Sequence, residues 1–590
     1  MKGVRFCVWA PHASSVSVVG DFNRWDAFKH PMTFLQEGSW YLFVAGLGSG
    51  ILYKFAVTSA DGRLLPLKAD PVAFAAELRP GTASRVSKGL NFPWTDSLFC
   101  AARRNVDTQS QPISIYEVHP GSWDRGLDGG FLGWDQLADR LIPYAKGMGF
   151  THIELTPIGE FPYDPSWGYQ PTGLYAPTAR FGPPEAMAKF VDAAHGAGLG
   201  VILDWVPAHF PYDAHGLSQF DGQALYEYAD PRLGHHPDWD SAIYDFGRPE
   251  VVKFLVDNAI YWIDKFHIDG LRVDAVASML YRDYSRRPGE WIPNSDGGNE
   301  NWEAVDFLRT LNQAIADLDT GAIMIAEEST AWPAVTKRER DDSLGFDFKW
   351  NMGFMHDGLR YMGRDTEQRA AHPSDIIQTF DYLFSEQFIL PVSHDEVVHE
   401  KGTLIGKMAG EGSDRFANLR AYLTMMWSYP GKKLLFMGQE FAQLREWNQD
   451  IALDWDLLDL PHHFGIQNLV RDLNATYRRY PAFQGSDCNP LGFRLLLKGE
   501  DGDSLFSWIR SAGPADPIVF IVNFSGTTVE GIELPLPRDG QWSVVLASTH
   551  IAYGGPGGAP AAVTALNGKG KLTLLPLEAL LLVQGNGESE

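Results

Sequence analysis

The sequence predicts a multidomain α/β protein in which a central (β/α)8 barrel is flanked by an N-terminal and a C-terminal β-sandwich. A chain of 590 residues is too long for a single hydrophobic core. Strand-like and helical patterns alternate through its middle, whereas short strand-like runs without helical periodicity fill both ends. We therefore expect sandwiches at residues 1–98 and 483–590, a linker at 99–111 and the barrel at 112–482.

The two sandwiches are predicted from apolar runs of strand length. Phe6–Trp9 and Val16–Val19 are typical of the first domain, where Gly, Asn, Asp and Pro residues separate such runs. The polar stretch at 102–112 then has the composition of a linker. Short β runs return near the end of the chain, among them Ile518–Asn523 and Trp542–Ala547, and they predict the closing sandwich.

The barrel is predicted from eight strand-like runs joined by helical patterns. In one such helix Pro184 stands at the first turn, apolar residues follow at i, i+3, i+4 and i+7, and Gly196 can end it. A long insertion near 207–245, rich in His, Asp, Gly and Tyr, is expected to shape the substrate site. The predicted strands are Ile113–Val118, Thr151–Thr156, Gly200–Val206, Gly270–Val273, Ala322–Ala326, Phe346–Trp350, Phe388–Val392 and Lys433–Met437.

Composition limits the possible partners. The formal charge of −25 argues against nucleic acid and against an anionic membrane surface. The start of the chain has no apolar signal core, and no run of about 18 apolar residues follows. Three widely separated cysteines without metal-like spacing favour a reducing compartment, so a cytoplasmic protein without metal or cofactor is expected. We also expect a monomer, although the sequence carries no pattern from which the oligomeric state can be read.

Carboxylates stand at the ends of four predicted strands. Asp204 ends the third strand, Asp274 the fourth and Glu327 the fifth, and Asp395 follows the seventh. The C-terminal ends of barrel strands form one rim, and gathering carboxylates there is costly. An Asp after a strand often caps the next helix, and for Asp204 alone that structural interpretation stays open.

Asp274, Glu327 and Asp395 together predict cleavage of a glycosidic bond, which needs one ionised and one protonated carboxyl group. Arg272 lies two residues before Asp274 and therefore on the same face of the strand. We expect it to lower the pKa of Asp274 and to keep this nucleophile ionised. Glu327 would then be the general acid, and the adjacent Glu328 is expected to face the opposite way.

Four segments resemble the conserved regions of the α-amylase superfamily (glycoside hydrolase family 13) in order and spacing. They are Asp204–His209, Asp269–Asp274, Ala326–Thr330 and Ser393–Glu396. The resemblance implies that Asp274 is the nucleophile, Glu327 the acid/base and Asp395 the transition-state stabiliser. It also implies substrate-binding side chains at Tyr169, Asp204, His209, Arg272 and His394.

The surrounding residues resemble the 1,4-α-glucan branching enzymes. The matching segments are Ala275–Tyr281, Gly298–Trp302, Phe348–Gly353, Val397–Gly402 and Gly438–Phe441. Residues 9–11 and 20–25 resemble a glycan-binding sandwich of the CBM48 type. The resemblance implies that a glucan chain is transferred to a 6-hydroxyl, with retention, to form an α-1,6 branch in glycogen biosynthesis. Many bacterial members carry a further N-terminal β domain that bears on transferred chain length, and we expect this chain to lack it.

Two alternatives stay open. A hydrolase of the same barrel, such as maltooligosyltrehalose trehalohydrolase, shares this domain order and the same kind of intermediate. A non-catalytic glycan-binding protein would keep the sandwich without needing the three carboxylates. The expected partners are α-1,4-glucan chains such as amylose, glycogen and maltooligosaccharides.

Overall fold

A closed barrel of eight parallel strands lies at the centre of the computed structural model, which describes residues 2–499, 502–513 and 516–585. Each strand pairs with the next one along the chain, and the eighth returns to the first, with Lys433 opposite Ser114. The strands are Ser114–Val118, His152–Leu155, Gly200–Trp205, Gly270–Val273, Ile323–Ala326, Phe348–Trp350, Phe388–Val392 and Lys432–Phe436. All eight lie within two residues of the predicted runs, and the predicted fold class is confirmed.

Helices cover the outside of the barrel, so its strands are buried on both faces and their sequences are nearly continuous in apolar residues. Proline stands in the first turn of several of these helices, where no backbone donor is needed, as at Pro184, Pro249 and Pro461. The long helices are Trp134–Gly147, Pro184–Gly196, Pro249–Lys265, Trp302–Asp317, Met352–Met362, Ser374–Asp381, Ser413–Ser428 and Pro461–Arg479. Shorter ones are Pro120–Trp123, Pro231–Gly234, Val276–Leu280 and Pro481–Gln484.

The N-terminal module consists of two antiparallel three-stranded sheets that face each other across an apolar core. Phe6, Val18 and Phe55 are buried between them. One sheet contains Gly3–Trp9, Ser39–Ala45 and Thr33–Phe34, and the other contains Ser15–Gly20, Leu52–Thr58 and Ser84–Arg85.

A helix, Ser97–Arg104, occupies the first half of the segment predicted as a linker. None of its residues is fully buried, so apolar packing contributes little to holding it in place. Polar contacts hold the helix against the barrel instead: Arg103 donates from Nη1 to Asp269 Oδ1 at 2.6 Å and from Nε to the Thr320 carbonyl at 2.9 Å. The helix therefore lies at the N-terminal ends of the barrel strands.

The C-terminal domain is all-β, with eight strands in one hydrogen-bonded order. Leu534, Trp542 and Leu580 are buried in its core. Its strands are Phe493–Lys498, Leu505–Arg510, Ile518–Asn523, Val529–Pro535, Gly540–Ala547, Ala562–Leu566, Lys569–Leu574 and Ala579–Gln584.

Two small antiparallel sheets sit at the C-terminal face of the barrel. The first contains His209–Phe210, Ser241–Ile243 and His235–His236, within the predicted insertion. The second pairs Gly159–Glu160 with Gly173–Pro177. In the part of the chain that the structure describes, no helix combines the length and hydropathy needed to cross a bilayer.

Candidate active site

A cavity of about 430 Å³ opens at the C-terminal face of the barrel. Asp274, Glu327 and Asp395 all reach it from strand ends, as expected from a barrel in which these ends form one rim. Its walls are formed by Pro165, Ser166, Trp167, Tyr169, Gln170, His209, Asp238, Trp239, Arg272, Asp274, Ala275, Ala277, Tyr284, Glu327, Ser329, His394, Asp395 and His399.

Arg272 connects two carboxylates on neighbouring strands. Its register partner on the third strand is Asp204, and its Nη1 lies 2.8 Å from Asp204 Oδ1 and 2.6 Å from Asp274 Oδ1. The Trp350 ring lies against the guanidinium, 4.3 Å from the ring centroid to the Arg272 carbon Cζ. A planar, permanently charged group fixed from three sides holds the Asp274 carboxylate in one orientation.

Asp204 lies behind the cavity wall and is not part of it. Its carboxylate accepts from Arg272 and, at 2.5 Å, from the Tyr169 hydroxyl. The sequence implied a substrate-binding side chain at this position. In the structure Asp204 contacts two residues that line the cavity, because it stands in register with Arg272, two residues before Asp274 on the next strand.

The pKa of Asp274 is raised to about 6, whereas the sequence led us to expect Arg272 to lower it. Burial is the largest effect and favours the protonated form; Arg272 opposes it, and the nearby Asp204 charge adds to it. Arg272 therefore acts in the predicted direction but does not outweigh the loss of water around the carboxylate.

Glu327 has a pKa raised to about 7, again mainly by burial and then by the charges of Asp274 and Asp395, although Arg272 opposes the rise. Its Oε2 accepts from the Ala275 amide at 2.8 Å. The Ala275 backbone is left-handed, with φ 56°, at the residue that directly follows Asp274. One strained turn thus links the two carboxylates.

Asp395 and His394 form a charged pair at the end of the seventh strand. His394 Nε2 lies 3.4 Å from Asp395 Oδ1, and its Nδ1 lies 2.5 Å from Glu117 Oε1. Burial disfavours the imidazolium, but Asp395 and Glu117 outweigh it and raise the pKa of His394 to about 9. Burial also opposes ionisation of Asp395, yet His394 and Arg272 keep its pKa below the usual value.

Glu117 is a functional residue that the sequence reasoning missed. It lies in the first barrel strand, is 1% exposed, and also accepts from the His394 amide at 3.1 Å. Glu117 stands within the otherwise apolar run Ile115–Val118. The same pattern, a carboxylate next to an apolar strand, identified the candidate residues at four other strands and could have identified this one. Glu154 in the second strand is a similar buried carboxylate, and burial raises its pKa well above the usual value.

Aromatic side chains form the rest of the wall. Tyr169 lies nearly parallel to His394, with ring centroids 5.4 Å apart. Trp239 from the insertion lies 4.7 Å from the His209 ring, and His209 Nε2 is 4.0 Å from Asp274 Oδ2. Burial lowers the pKa of His209 to about 4, so this imidazole is neutral. Trp239 could not be assigned from sequence, because the insertion has no strand pattern to orient it.

Glu328 faces away from the cavity. Its side chain is fully buried, and its Oε2 lies 2.5 Å from Lys349 Nζ. Strand alternation predicted this orientation. Among the described residues, the one group of Asp, Cys and His side chains close enough to share a metal ion lies at the opposite end of the barrel, not in this cavity.

Comparisons with known proteins match all three domains. Residues 117–224 and 235–458 match the α-amylase catalytic domain, 1–73 match carbohydrate-binding module 48 (isoamylase N-terminal domain), and 498–584 match the α-amylase C-terminal all-β domain. A pullulanase from Anoxybacillus sp. LM18-11, solved with maltotetraose, shares the fold with a TM-score of 0.73 at 18% identity, over 99% of this chain and 86% of that one.

Curated relatives are much closer in sequence. The 1,4-alpha-glucan branching enzyme GlgB of Novosphingobium aromaticivorans is 56% identical over 587 residues, which is 98% of this chain and 81% of the relative. The protein of the same name from Mesorhizobium japonicum is 54% identical over 586 residues, with 98% and 80% covered.

Proposed function

Because the chain belongs to the 1,4-α-glucan branching enzymes of the α-amylase superfamily, we propose that it cleaves an α-1,4-glucosidic bond and transfers the released glucan segment to a 6-hydroxyl, forming an α-1,6 branch with retention. One observation supports this best: Asp274 and Glu327 face the same cavity with pKa values of about 6 and about 7. Between these two pKa values Asp274 is mostly ionised while Glu327 mostly holds its proton.

The proposed reaction is a double displacement. A carboxylate oxygen of Asp274 attacks the anomeric carbon, the bond from that carbon to the glycosidic oxygen breaks, and Glu327 gives its proton to the departing oxygen. The 6-hydroxyl of an acceptor then attacks the same carbon and passes its proton to Glu327, and the ester bond to Asp274 breaks. Asp395, kept ionised by His394, stabilises the positive charge that develops on the sugar ring.

The remaining predicted residues hold the sugar. Tyr169, Arg272, His209 and His394 line the cavity, so each can contact the glucose unit that carries the reacting carbon. We assign Asp204 the supporting role of fixing Arg272 and Tyr169. The rigid wall positions the anomeric carbon against Asp274, and such positioning contributes several kcal/mol to catalysis.

We further propose α-1,4-glucan chains as the partners of a monomeric, cytoplasmic protein. The match of residues 1–73 to a carbohydrate-binding module supports a glucan partner. Cys7, Cys100 and Cys488 are all unpaired, which fits a reducing compartment. The charge of −25 fits a neutral polymer better than a polyanion.

The test is to incubate the protein with amylose and follow iodine staining together with reducing ends. Branching lowers the stain with almost no new reducing ends, and a debranching enzyme then releases the transferred chains. A rise in reducing ends in proportion to the fall in stain would identify a hydrolase instead, such as the trehalohydrolase considered above. Asp274→Asn serves as the control, since it should bind glucan and leave the stain unchanged.

A further inference from the structure

A second cluster of reactive side chains lies at the N-terminal end of the barrel. Asp96 precedes the helix Ser97–Arg104, and Cys100 lies within it. His195 is in the last turn of the helix Pro184–Gly196, and His267 lies between the next long helix and the fourth barrel strand. These four side chains come from three separate segments and meet where the N-terminal module joins the barrel.

Asp96 Oδ2 is the central atom of this cluster, with potential ligand atoms of the other three residues around it. Asp96 Oδ2 lies 2.8 Å from His195 Nδ1 and 2.8 Å from His267 Nδ1. Cys100 Sγ lies 3.5 Å from Asp96 Oδ2 and 4.0 Å from His267 Nδ1. In a tetrahedral zinc site with bonds of about 2.0–2.3 Å, neighbouring ligand atoms are separated by roughly 3.3–3.7 Å. For Asp96, Cys100 and His267, whose ligand atoms all lie within 4.8 Å of one another, shifts of about half an ångström would reach that arrangement, whereas His195 Nδ1 would have to move further.

Neighbouring groups fix both imidazole rings. Phe99 stacks on His195 with ring centroids 4.2 Å apart, and Trp94 stacks on His267 at 3.8 Å. The His195 Nε2 atom lies 2.9 Å from Asp269 Oδ2. A carboxylate on the far nitrogen orients a metal-binding histidine, and zinc would take the place of the proton on the near nitrogen.

We propose that Asp96, Cys100, His195 and His267 bind one zinc ion through Oδ2, Sγ and the two Nδ1 atoms. One thiolate, two imidazoles and one carboxylate form a set that zinc accepts in closed, four-coordinate structural sites. His267 is 27% exposed, whereas Asp96 and His195 are buried, so the ion would enter from the His267 side. Asp269 is a positioning residue for His195.

The proposed ion would clamp the junction between two domains. Asp96 and Cys100 belong to the connecting segment, whereas His195 and His267 belong to the barrel. The helix carrying Cys100 has no buried residues of its own, so little apolar packing holds it in place. Coordination bonds at this position would add stability without touching the cavity at the other end of the barrel.

Metal analysis of the full chain, produced without a histidine tag, tests the proposal. After exchange into metal-free buffer and titration with Zn²⁺, one equivalent should remain bound per chain. Co²⁺ in the same site should give the near-ultraviolet absorption of a thiolate–cobalt bond together with visible bands of tetrahedral cobalt. Because this spectrum is recorded on the unsubstituted chain, it tests the proposal even if a variant folds poorly. A chain that binds Co²⁺ without the thiolate absorption, or binds none, contradicts the proposal.

Two substitutions and a matched control locate the site. Cys100→Ala should abolish the thiolate absorption and weaken zinc binding at least 100-fold, whereas Cys7→Ala, which removes an exposed thiol in the N-terminal sandwich, should change neither. Asp269→Asn keeps all four ligands and should weaken binding about 10–100-fold. If Cys100→Ala and the unsubstituted chain bind zinc equally tightly, the assignment is wrong. The cluster would then be a set of hydrogen-bonded side chains without a metal ion.

Discussion

The two ends of the fourth barrel strand each present an aspartate, and the pKa values of the two are shifted in opposite directions. At the C-terminal end the pKa of Asp274 is raised to about 6. Just before the N-terminal end the pKa of Asp269 is lowered to about 2, although burial opposes this, because His195 and Arg103 supply positive charge. Both residues are at least nine-tenths buried.

The difference lies in how many partners each carboxylate has. Asp269 accepts from Arg103, His195 and the Val201 amide. Asp274 has one strong partner, Arg272, which it shares with Asp204. A buried carboxylate with all its partners contributes to stability, whereas an incompletely paired one retains basicity and nucleophilicity for a substrate. The two ends should therefore respond differently to the same chemical change.

Asp274→Asn should cause the largest effect. The amide cannot form the ester intermediate, so branching activity on amylose should fall at least about 10⁴-fold, or roughly 5 kcal/mol in barrier height. The loss should be visible as unchanged iodine staining after long incubation.

Asp238→Asn is the matched control for this loss, because Asp238 also lines the cavity but is exposed and lies in the insertion. It should retain activity within about tenfold. Equal losses in the two variants would indicate that activity depends on the total negative charge of the cavity and not on a nucleophile at Asp274, and would remove the distinction between strand-end and loop carboxylates.

Asp269→Asn should give the second largest effect, on stability. His195 and Arg103 would lose a buried counter-charge, which should destabilise the barrel by about 3 kcal/mol. Thermal unfolding should begin at a lower temperature, while kcat measured well below that temperature should stay near that of the unsubstituted chain. A large fall in kcat with an unchanged unfolding temperature would show that the two ends are not functionally separate.

Much of the catalytic end could be predicted from sequence. Barrel strands are buried on both faces, so Gly270–Val273 is apolar apart from Arg272, and a carboxylate directly after it is conspicuous. Arg272 and Asp274 share a face because strand side chains alternate. The balance between burial and Arg272 could not be predicted, since it depends on how much water the folded cavity excludes.

The other end gave almost no sequence signal. Asp96 and Cys100 lie just before the polar stretch at 102–112 that has the composition of a linker, and His195 and His267 are distant from them and from each other along the chain. Only the folded barrel brings the four together, so no ligand spacing exists to be recognised. Glu117 differs from these four residues, because a carboxylate within an apolar strand pattern can be recognised from the sequence alone.

The pH dependence of kcat/KM should be bell-shaped. Activity falls as Asp274 becomes protonated below a pKa of about 6, and falls as Glu327 loses its proton above a pKa of about 7. Outside this window the rate should drop about tenfold per pH unit on each side. Initial rates of branch formation across this range test it, and Asp238→Asn should leave the profile in place. A rate that stays level well above the pKa of Glu327 would contradict its role as the acid.

The smallest effect should be a gain in stability in Asp274→Asn. Since the folded-state pKa of Asp274 is raised from 3.8 to about 6, folding favours its protonated form, and its charge costs stability increasingly as pH rises through that interval. Asparagine carries no charge, so the variant should be more stable than the unsubstituted chain by about 1 kcal/mol near neutral pH, after allowing for a weaker bond to Arg272.

The difference in unfolding temperature between the two proteins should therefore be small in acid and should widen towards neutral pH. Measuring it at several pH values separates the charge effect from any change in packing, which would shift the temperature equally at all of them. Asp269→Asn should lose stability across the same range, because the pKa of Asp269 lies at about 2 and its carboxylate is ionised throughout. Opposite signs for one substitution at the two ends of a strand would establish that the pairing of each aspartate, rather than its burial, decides whether it stabilises the barrel.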